Sequence, residues 1–108
     1  MPLVPGTLDV MVLKAVEGGE KHGYAIAKWV RELTDAAFVV EEGALYTALH
    51  RLERQALLRS TWGISDANRR AKFYRLTAKG EKALRAQTES WRRSAQALFK
   101  VLDAPRKV

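Results

Sequence analysis

Residues 57–76 contain two short strand-like segments separated by a basic connection, which is the pattern of a β-hairpin. The first segment, residues 57–62, begins with two leucines and ends with a tryptophan, and the second, residues 71–76, alternates along its length. Hairpin loops usually have about two to five residues, so a longer connection over residues 63–70 is typical of a functional element rather than of a simple turn. The chain is therefore expected to contain an exposed hairpin that has a functional role.

The side chains around this connection are strongly basic. Arg69 and Arg70 end it, and Lys72 follows in the second strand. Side chains alternate between the two faces of a strand, and on this basis Tyr74 and Leu76 are expected to face inward and Lys72 outward.

The positive charge of the chain is concentrated in its second half. The 108 residues have a formal net charge of +7. Residues 1–50 contain four Lys or Arg against seven Asp or Glu, a formal charge of −3, whereas residues 51–108 contain 15 against five, a formal charge of +10. A basic half favours a polyanionic partner, but solvated basic surfaces are common and charge alone does not decide between the two.

An amphipathic helix is predicted just before the hairpin, over residues 42–55. Leu45, Ala48, Leu49 and Leu52 recur at helical spacing and form one buried face. The opposite, polar face consists of Gly43, Tyr46, Thr47, His50, Arg51 and Arg54.

Two shorter helices are predicted upstream. The first begins with Thr7 as its N-cap, ends at the Gly-Gly pair 18–19, and is apolar on nearly all sides, so we expect it to be buried. The second begins at His22-Gly23. Its apolar stripe consists of Ile26, Ala27, Val30 and Leu33. Residues 38–40 are short and β-prone.

A long C-terminal helix is predicted from Thr77, its N-cap, to about residue 103. Its apolar stripe advances in steps of four and three residues and consists of Leu84, Thr88, Trp91, Ala95, Leu98 and Leu102. At 1.5 Å per residue such a helix is roughly 40 Å long, which is more than a domain of this size covers. An isolated apolar stripe needs a partner, and the same helix of a second chain is the simplest one. We therefore predict a homodimer whose interface contains the stripe residues Leu84, Trp91, Ala95, Leu98 and Leu102.

The order of these elements suits double-stranded DNA. The major groove is about 12 Å wide and admits one helix, while basic side chains of a hairpin contact the phosphate backbone or the narrower minor groove. Each polar side chain taken alone is better explained as an ordinary solvated surface residue than as a DNA contact. The order of the elements along the chain, two short helices, a helix with a polar face and a basic hairpin, favours DNA binding. The residues predicted to contact DNA are His22, Tyr24, Gly43, Tyr46, Thr47, His50, Arg51, Arg69, Arg70 and Lys72.

The predicted fold is therefore mainly α with a small β-hairpin. A winged helix-turn-helix DNA-binding domain would occupy residues 1–76, and a long C-terminal dimerisation helix with a short tail would occupy residues 77–108.

Other classes of protein are disfavoured by the composition. The chain has no cysteine, which excludes disulfides and cysteine nucleophiles and fits a reducing cytoplasm. No apolar run approaches the roughly 20 residues of a membrane span, and no secretory signal follows Met1. His22 and His50 have no second ligand at metal spacing, and no catalytic set is recognisable, so we expect no metal, no cofactor and no enzymatic activity.

Four motifs in order resemble those of the PadR family of transcriptional regulators. They are residues 6–9 (Gly-Thr-Leu-Asp), 22–24 (His-Gly-Tyr), 41–46 (Glu-Glu-Gly-Ala-Leu-Tyr) with 49–53 (Leu-His-Arg-Leu-Glu), and 68–77 (Asn-Arg-Arg-Ala-Lys-Phe-Tyr-Arg-Leu-Thr). The similarity covers about residues 5–80, and the single C-terminal helix resembles the short branch of the family.

The resemblance implies that the third helix enters the major groove, that the hairpin is the wing, that the C-terminal helices form a homodimer, and usually that nearby genes are repressed. Some members release DNA when a small aromatic or cationic hydrophobic effector binds. Thr88, Trp91 and Ala95 could surround such a compound near a two-fold axis, although Trp91 filling the dimer core is the simpler interpretation. The chain departs from the family at Thr47, where proline is common, and at Trp29, where a polar residue is more usual.

An alternative function stays open from sequence alone. The acidic first half of the chain is compatible with a winged helix that binds protein or senses a ligand without specific DNA binding. The absence of duplex binding at low salt would favour that alternative.

Overall fold

The computed structural model describes residues 6–106, which form four helices and a three-stranded antiparallel sheet. The elements in chain order are α1 (Thr7–Glu17), β1 (Lys21–His22), α2 (Gly23–Leu33), α3 (Glu42–Arg54), β2 (Leu58–Ile64), β3 (Arg70–Leu76) and α4 (Ala78–Leu102). The predicted mainly α fold with a β-hairpin is confirmed. The end of the predicted tail, residues 107–108, lies outside the described part of the chain.

The starts of α1 and α2 are set by different residues. Gly6, with φ 87°, is the N-cap of α1, and Thr7 is already helical, so the prediction of Thr7 as the cap was wrong. The second helix begins at His22-Gly23 as predicted, and His22 is its N-cap, because the Ala25 N–H donates to Nδ1 of His22 at 3.2 Å. The two helices therefore begin where the sequence indicated, although α1 begins without a side-chain cap.

The core lies where α1, α2, α3 and the sheet meet. Its largest fully buried side chains are Leu13, Ile26, Leu49, Leu52, Val12 and Val30. The predicted buried face of α3 is confirmed, since Leu45, Ala48, Leu49 and Leu52 are all buried. Trp29 packs partly buried against this core, and the ammonium of Lys21 lies 5.9 Å from its ring centroid.

The sheet contains one strand that the sequence did not reveal. The two-residue strand β1 pairs with β3, placing Lys21 opposite Tyr74 and His22 opposite Phe73. The strand order is β1-β3-β2, so β3 is central. Residues 38–40, predicted as β-prone, form no strand.

The hairpin is longer and its loop shorter than predicted. Pairing continues to Ile64 opposite Arg70, so residues 65–69 alone connect the strands. The Asn68 N–H donates to the Ser65 carbonyl at 2.9 Å, and Asn68 has φ 58°, a conformation that asparagine tolerates well. The inference from an unusually long loop was therefore wrong, because a five-residue hairpin loop is ordinary.

Lys72 faces the same side of the sheet as Tyr74. Positions 72, 74 and 76 are separated by two residues each, so their side chains share one face, and the prediction that Lys72 points away from Tyr74 was wrong. Tyr74 is buried there, whereas Lys72 and Leu76 are half-buried. The inner face of the hairpin thus carries a basic side chain close to α3.

Helix α4 has a buried start and an exposed remainder. Thr77 caps it as predicted, accepting a hydrogen bond from the Gly80 N–H at 2.9 Å. Leu84 is 3% exposed and belongs to the core. From Glu89 to Arg106 every residue is exposed. Among the described residues, no helix is long and apolar enough to span a bilayer.

Candidate nucleic-acid interface

A groove of about 850 Å³ lies between the start of α2, the exposed face of α3 and the β2–β3 hairpin. Most of the residues predicted to contact DNA line it: His22, Tyr24, Tyr46, His50, Arg69, Arg70 and Lys72. Lys28 and Trp62 also line the groove and were missed by the sequence-based prediction. The fold therefore brings together polar and basic residues that are up to 50 positions apart in the chain.

The start of α3 is held by a carboxylate. Glu41 accepts hydrogen bonds from the N–H groups of Gly43 and Ala44, each at 2.8 Å. These two bonds lower the pKa of the Glu41 carboxyl below its ordinary value of 4.5, because they favour the charged form. The Thr47 hydroxyl donates to the Gly43 carbonyl at 2.9 Å, and Thr47 is exposed.

Tyr46 connects α3 with the start of α2. A Cβ atom placed on Gly23 would lie 3.4 Å from the Tyr46 hydroxyl, so the ring rests against the Gly23 backbone. Tyr46 is 43% exposed and lines the groove. His22 packs edge-on against Phe73 with ring centroids 5.2 Å apart, which ties the same helix start to the sheet.

The inner face of the hairpin presents cations on an indole ring. The Arg70 guanidinium lies 4.3 Å from the Trp62 ring centroid, and the Lys72 ammonium lies 5.8 Å from it. Trp62 and Lys72 are cross-strand partners, and Arg70 is two residues along on the same face. The indole therefore lies beside both cations on the groove side of the hairpin, where Arg70 is exposed and Lys72 is half-buried. Only the strand register, which the sequence did not provide, could have identified Trp62.

Glu53 connects α3 with both strands of the hairpin. The Ser60 hydroxyl donates to Glu53 Oε2 at 2.6 Å, and the Lys72 ammonium lies 3.9 Å from Glu53 Oε1. Beneath them, burial raises the pKa of the Tyr74 hydroxyl, with smaller contributions from the charges of Glu53 and Tyr46. The hairpin is thus fixed relative to α3 by polar contacts as well as by packing.

Three residues of α3 that were predicted to contact DNA lie outside the groove lining. Gly43 and Thr47 are exposed nearer the start of the helix. Arg51 lies on one flank, where its guanidinium forms an ion pair with Asp9 of α1. Arg54, which was assigned to the polar face but not to the DNA contacts, is exposed.

The residues predicted for dimerisation divide into two groups. Leu84 is already buried within one chain, so its assignment to a surface between chains was wrong. Trp91, Ala95, Leu98 and Leu102 are exposed, and Leu98 and Leu102 are 55% and 63% exposed.

The residues predicted to bind an effector do not line one common cavity within a single chain. Thr88 lines a cleft of about 520 Å³ between α1 and α4, whereas Trp91 lines a separate cleft of about 260 Å³ with Asp9 and Gln87. Within residues 6–106, no three potential metal ligands come together.

Comparison with known proteins places these features in a family. The model of the transcriptional regulator PadR-like family matches residues 12–86. A transcriptional regulator from Clostridium thermocellum is 32% identical, with a TM-score of 0.80, covering 88% of this chain and 89% of that one. A PadR family transcription regulator from Clostridium difficile is also 32% identical, with a TM-score of 0.78, covering 90% and 99%. A protein from Streptococcus mutans with 24% identity shares the fold, with a TM-score of 0.84 over 96% and 93% of the two chains.

Proposed function

This chain belongs to the PadR-like family of transcriptional regulators, and we propose that it is a sequence-specific double-stranded DNA-binding protein that represses transcription. In this proposal α3 is the recognition helix and enters the major groove, while the β2–β3 hairpin is the wing and lies against the phosphate backbone. The observation that carries the proposal is the single groove that joins the exposed face of α3 to the cations of the wing.

The dimensions and charges of this surface fit a duplex. An α-helix with its side chains is about 10–12 Å across, and the major groove is about 12 Å wide. Arg69, Arg70 and Lys72 all lie on the wing side of the surface, where they would neutralise phosphates and fix the register of the protein on DNA.

The recognition helix supplies the side chains that would read sequence. Tyr46, Thr47 and His50 are exposed on it and carry groups that hydrogen-bond or contact base edges. Gly43 allows the backbone near the helix start to approach DNA closely. His22 and Tyr24 lie at the start of α2 on the same groove, where they would meet the sugar-phosphate backbone.

The test compares operator with random DNA. An operator is first selected from a pool of random duplexes, and the affinities of His50→Ala and Tyr46→Ala are then measured on both kinds of DNA. Loss of a base contact should weaken operator binding by about 1–3 kcal/mol and random binding little. Gln55→Ala, at the exposed end of α3, is the control. If the wild-type chain binds no duplex at low salt, the proposal is wrong and a protein-binding winged helix replaces it.

We propose that the working form is a homodimer joined through α4. Every described residue of the chain from Glu89 onward is exposed, and these include Trp91, Leu98 and Leu102. A two-fold dimer would cover these side chains and could present two recognition helices about one DNA turn apart, roughly 34 Å.

A small hydrophobic or aromatic effector remains part of the proposal because two copies of Trp91 would lie near a two-fold axis on α4. Thr88 and Ala95, one turn away on either side, leave room beside the indole. Titration of tryptophan fluorescence with planar aromatic cations and phenolic acids tests this, with Trp91→Phe as the control. Quenching that survives in that variant would assign Trp91 to the dimer core alone.

A further inference from the structure

An ion pair joins the recognition helix to the first helix of the domain. The carboxylate of Asp9 in α1 accepts a hydrogen bond from Nη2 of Arg51 in α3, across 42 positions of sequence. The other ion pairs of the described residues are either three or four residues apart within one helix or join Glu53 to Lys72 of the wing. The Asp9 side chain is only 25% exposed, so this pair is better shielded from solvent than the pairs within helices.

The two polar links of α3 lie on opposite flanks of the helix. Arg51 and Glu53 are two residues apart, which corresponds to about 200° around a helix of 3.6 residues per turn. Arg51 is linked to α1, and Glu53 is linked to Ser60 and Lys72 of the hairpin. The buried face of α3, between these flanks, is apolar.

Apolar packing and polar links restrain different motions. Burial of Leu45, Leu49 and Leu52 holds α3 on the core, but the hydrophobic effect is non-directional and resists a small rotation about the helix axis weakly. A guanidinium bound to a carboxylate has a preferred geometry, so it resists such a rotation more strongly. Rotation matters because it displaces every side chain on the exposed face relative to the bases.

We propose that Arg51 is a positioning residue: its ion pair with Asp9 fixes the rotation of the recognition helix, and Arg51 does not itself contact DNA. The proposal rests on the proposed DNA-binding function and replaces the contact role that the sequence suggested for Arg51. A guanidinium neutralised by a half-buried carboxylate has little charge left to attract a phosphate.

The variant Asp9→Asn separates the two roles because they predict opposite signs. If Arg51 positions α3, breaking the pair weakens operator binding by roughly two- to fivefold, the range expected for a partly shielded ion pair. If Arg51 contacts DNA, Asp9→Asn frees a cation and removes a competing anion. Binding then becomes tighter, and the slope of log affinity against log salt becomes steeper by about 0.9.

Two further variants make the comparison specific. Glu17→Gln makes the same charge change on α1 but breaks only an exposed pair with Lys14, so it reports the general effect of one less negative charge. Arg51→Gln breaks the same ion pair from the other side and keeps Asp9 in the first turn of α1. Thermal unfolding of all variants shows what fraction of each is folded at the temperature of the assay.

The expected result is a loss on operator, little change on random DNA, and an Asp9→Asn, Arg51→Gln double variant no weaker than either single one. Tighter binding, unchanged binding, or an equal loss on both duplexes by Asp9→Asn would overturn the proposal. Amide hydrogen exchange over Glu42–Arg54 in the DNA-free protein gives an independent reading. Asp9→Asn should raise the rate of amide exchange in α3 and Glu17→Gln should not. The effect of the Arg51–Asp9 ion pair on α3 can therefore be tested even if the wild-type chain binds no duplex.

Discussion

At Gly80 a single carbonyl oxygen restricts which residue can occupy the first turn of α4. A Cβ atom at this position would lie 2.1 Å from the Leu57 carbonyl oxygen and 2.9 Å from a methyl group of Leu76. The approach is close because Thr77, the N-cap, also binds that region: its N–H donates to the Leu57 carbonyl at 3.2 Å and its hydroxyl to the Ala56 carbonyl at 2.7 Å. The start of α4 is thereby fixed to the connection between α3 and β2.

Gly80→Ala is therefore expected to destabilise the protein, although alanine is the better helix former by about 1 kcal/mol. Moving a backbone carbonyl away from the new methyl group is an overpacking effect of roughly 1–3 kcal/mol. Urea unfolding measures the change. Gly18→Ala is the matched control, since a Cβ atom there meets nothing within 4 Å and φ is −81°. Equal stability of wild type and Gly80→Ala would show that α4 can shift without loss.

Glu41 gives the protein a pH dependence on the acid side. Its pKa is lowered in the folded chain by hydrogen bonds from the Gly43 and Ala44 N–H groups, so the unfolded chain binds more protons just below pH 4.5. The stabilisation is present above about pH 4.5 and is lost as the pH falls through the lower, folded-state pKa. We expect Glu41→Gln to lose less stability than wild type on acidification over this window. Glu42→Gln, which removes a neighbouring charge but keeps both cap bonds, should follow the wild-type curve.

The hairpin is the element in which the two faces have different roles. Arg70, Lys72 and Trp62 lie on the face toward the groove, whereas Arg59 and Arg75 are paired with each other on the opposite face. Arg59, Arg70, Lys72 and Arg75 are close in sequence, so only the strand register separates the two that face the groove from the two that do not.

Replacing Arg69 and Arg70 with alanine should weaken operator and random DNA to a similar extent. Phosphate contacts carry no sequence information, and each one lost should flatten the slope of log affinity against log salt by about 0.9. The Arg59→Ala, Arg75→Ala variant removes the same charge from the other face and should change the slope little. Similar slopes for the two double variants would mean that the hairpin acts only through the overall charge of the protein.

The helices were predictable because their signals are local. Apolar residues at helical spacing, the helix start at His22-Gly23 and the cap at Thr77 are all signals that act within a few residues, and the structure agrees with them at each of these positions. The strand β1 was not predictable in the same way. It consists of Lys21 and His22, and it exists because β3, about 50 residues later, provides its hydrogen-bonding partners.

The same distinction applies to the candidate site. The basic wing residues and the exposed face of α3 follow from composition and helical spacing, but their meeting in one groove does not. Trp62 became visible only through its cross-strand neighbours, and the link from Arg51 to Asp9 depends on how α3 packs against α1. Tertiary packing decides these roles, and a single sequence does not encode them in any local pattern.

At the scale of the whole molecule the chain is unusually elongated. Its principal extents are 60 × 28 × 21 Å and its radius of gyration is 16.0 Å, against about 13 Å for an ordinary domain of this length. The excess comes from α4, whose residues beyond Leu84 and Thr88 extend away from the core. Phe99 and Val101 are 57% and 71% exposed there, in addition to the predicted stripe. Exposed apolar surface of this kind is typical of an interface.

The dimer proposed for this surface is tested by Leu98→Asp. Burying one leucine contributes about 1.5–3 kcal/mol, and an aspartate in its place would leave a charge without a partner in the interface. Dimer affinity should therefore fall by at least about tenfold. Light scattering over a range of protein concentrations measures the effect.

Gln96→Asp is the matched control, because it introduces the same charge two residues away, about 200° around the helix. Since Leu98 is 55% exposed and lies outside the core cluster of its own chain, the monomer should keep its unfolding temperature when measured at low concentration. A wild-type protein that is monomeric at micromolar concentration would refute the dimer, and equal weakening by Gln96→Asp would move the interface to another face of α4.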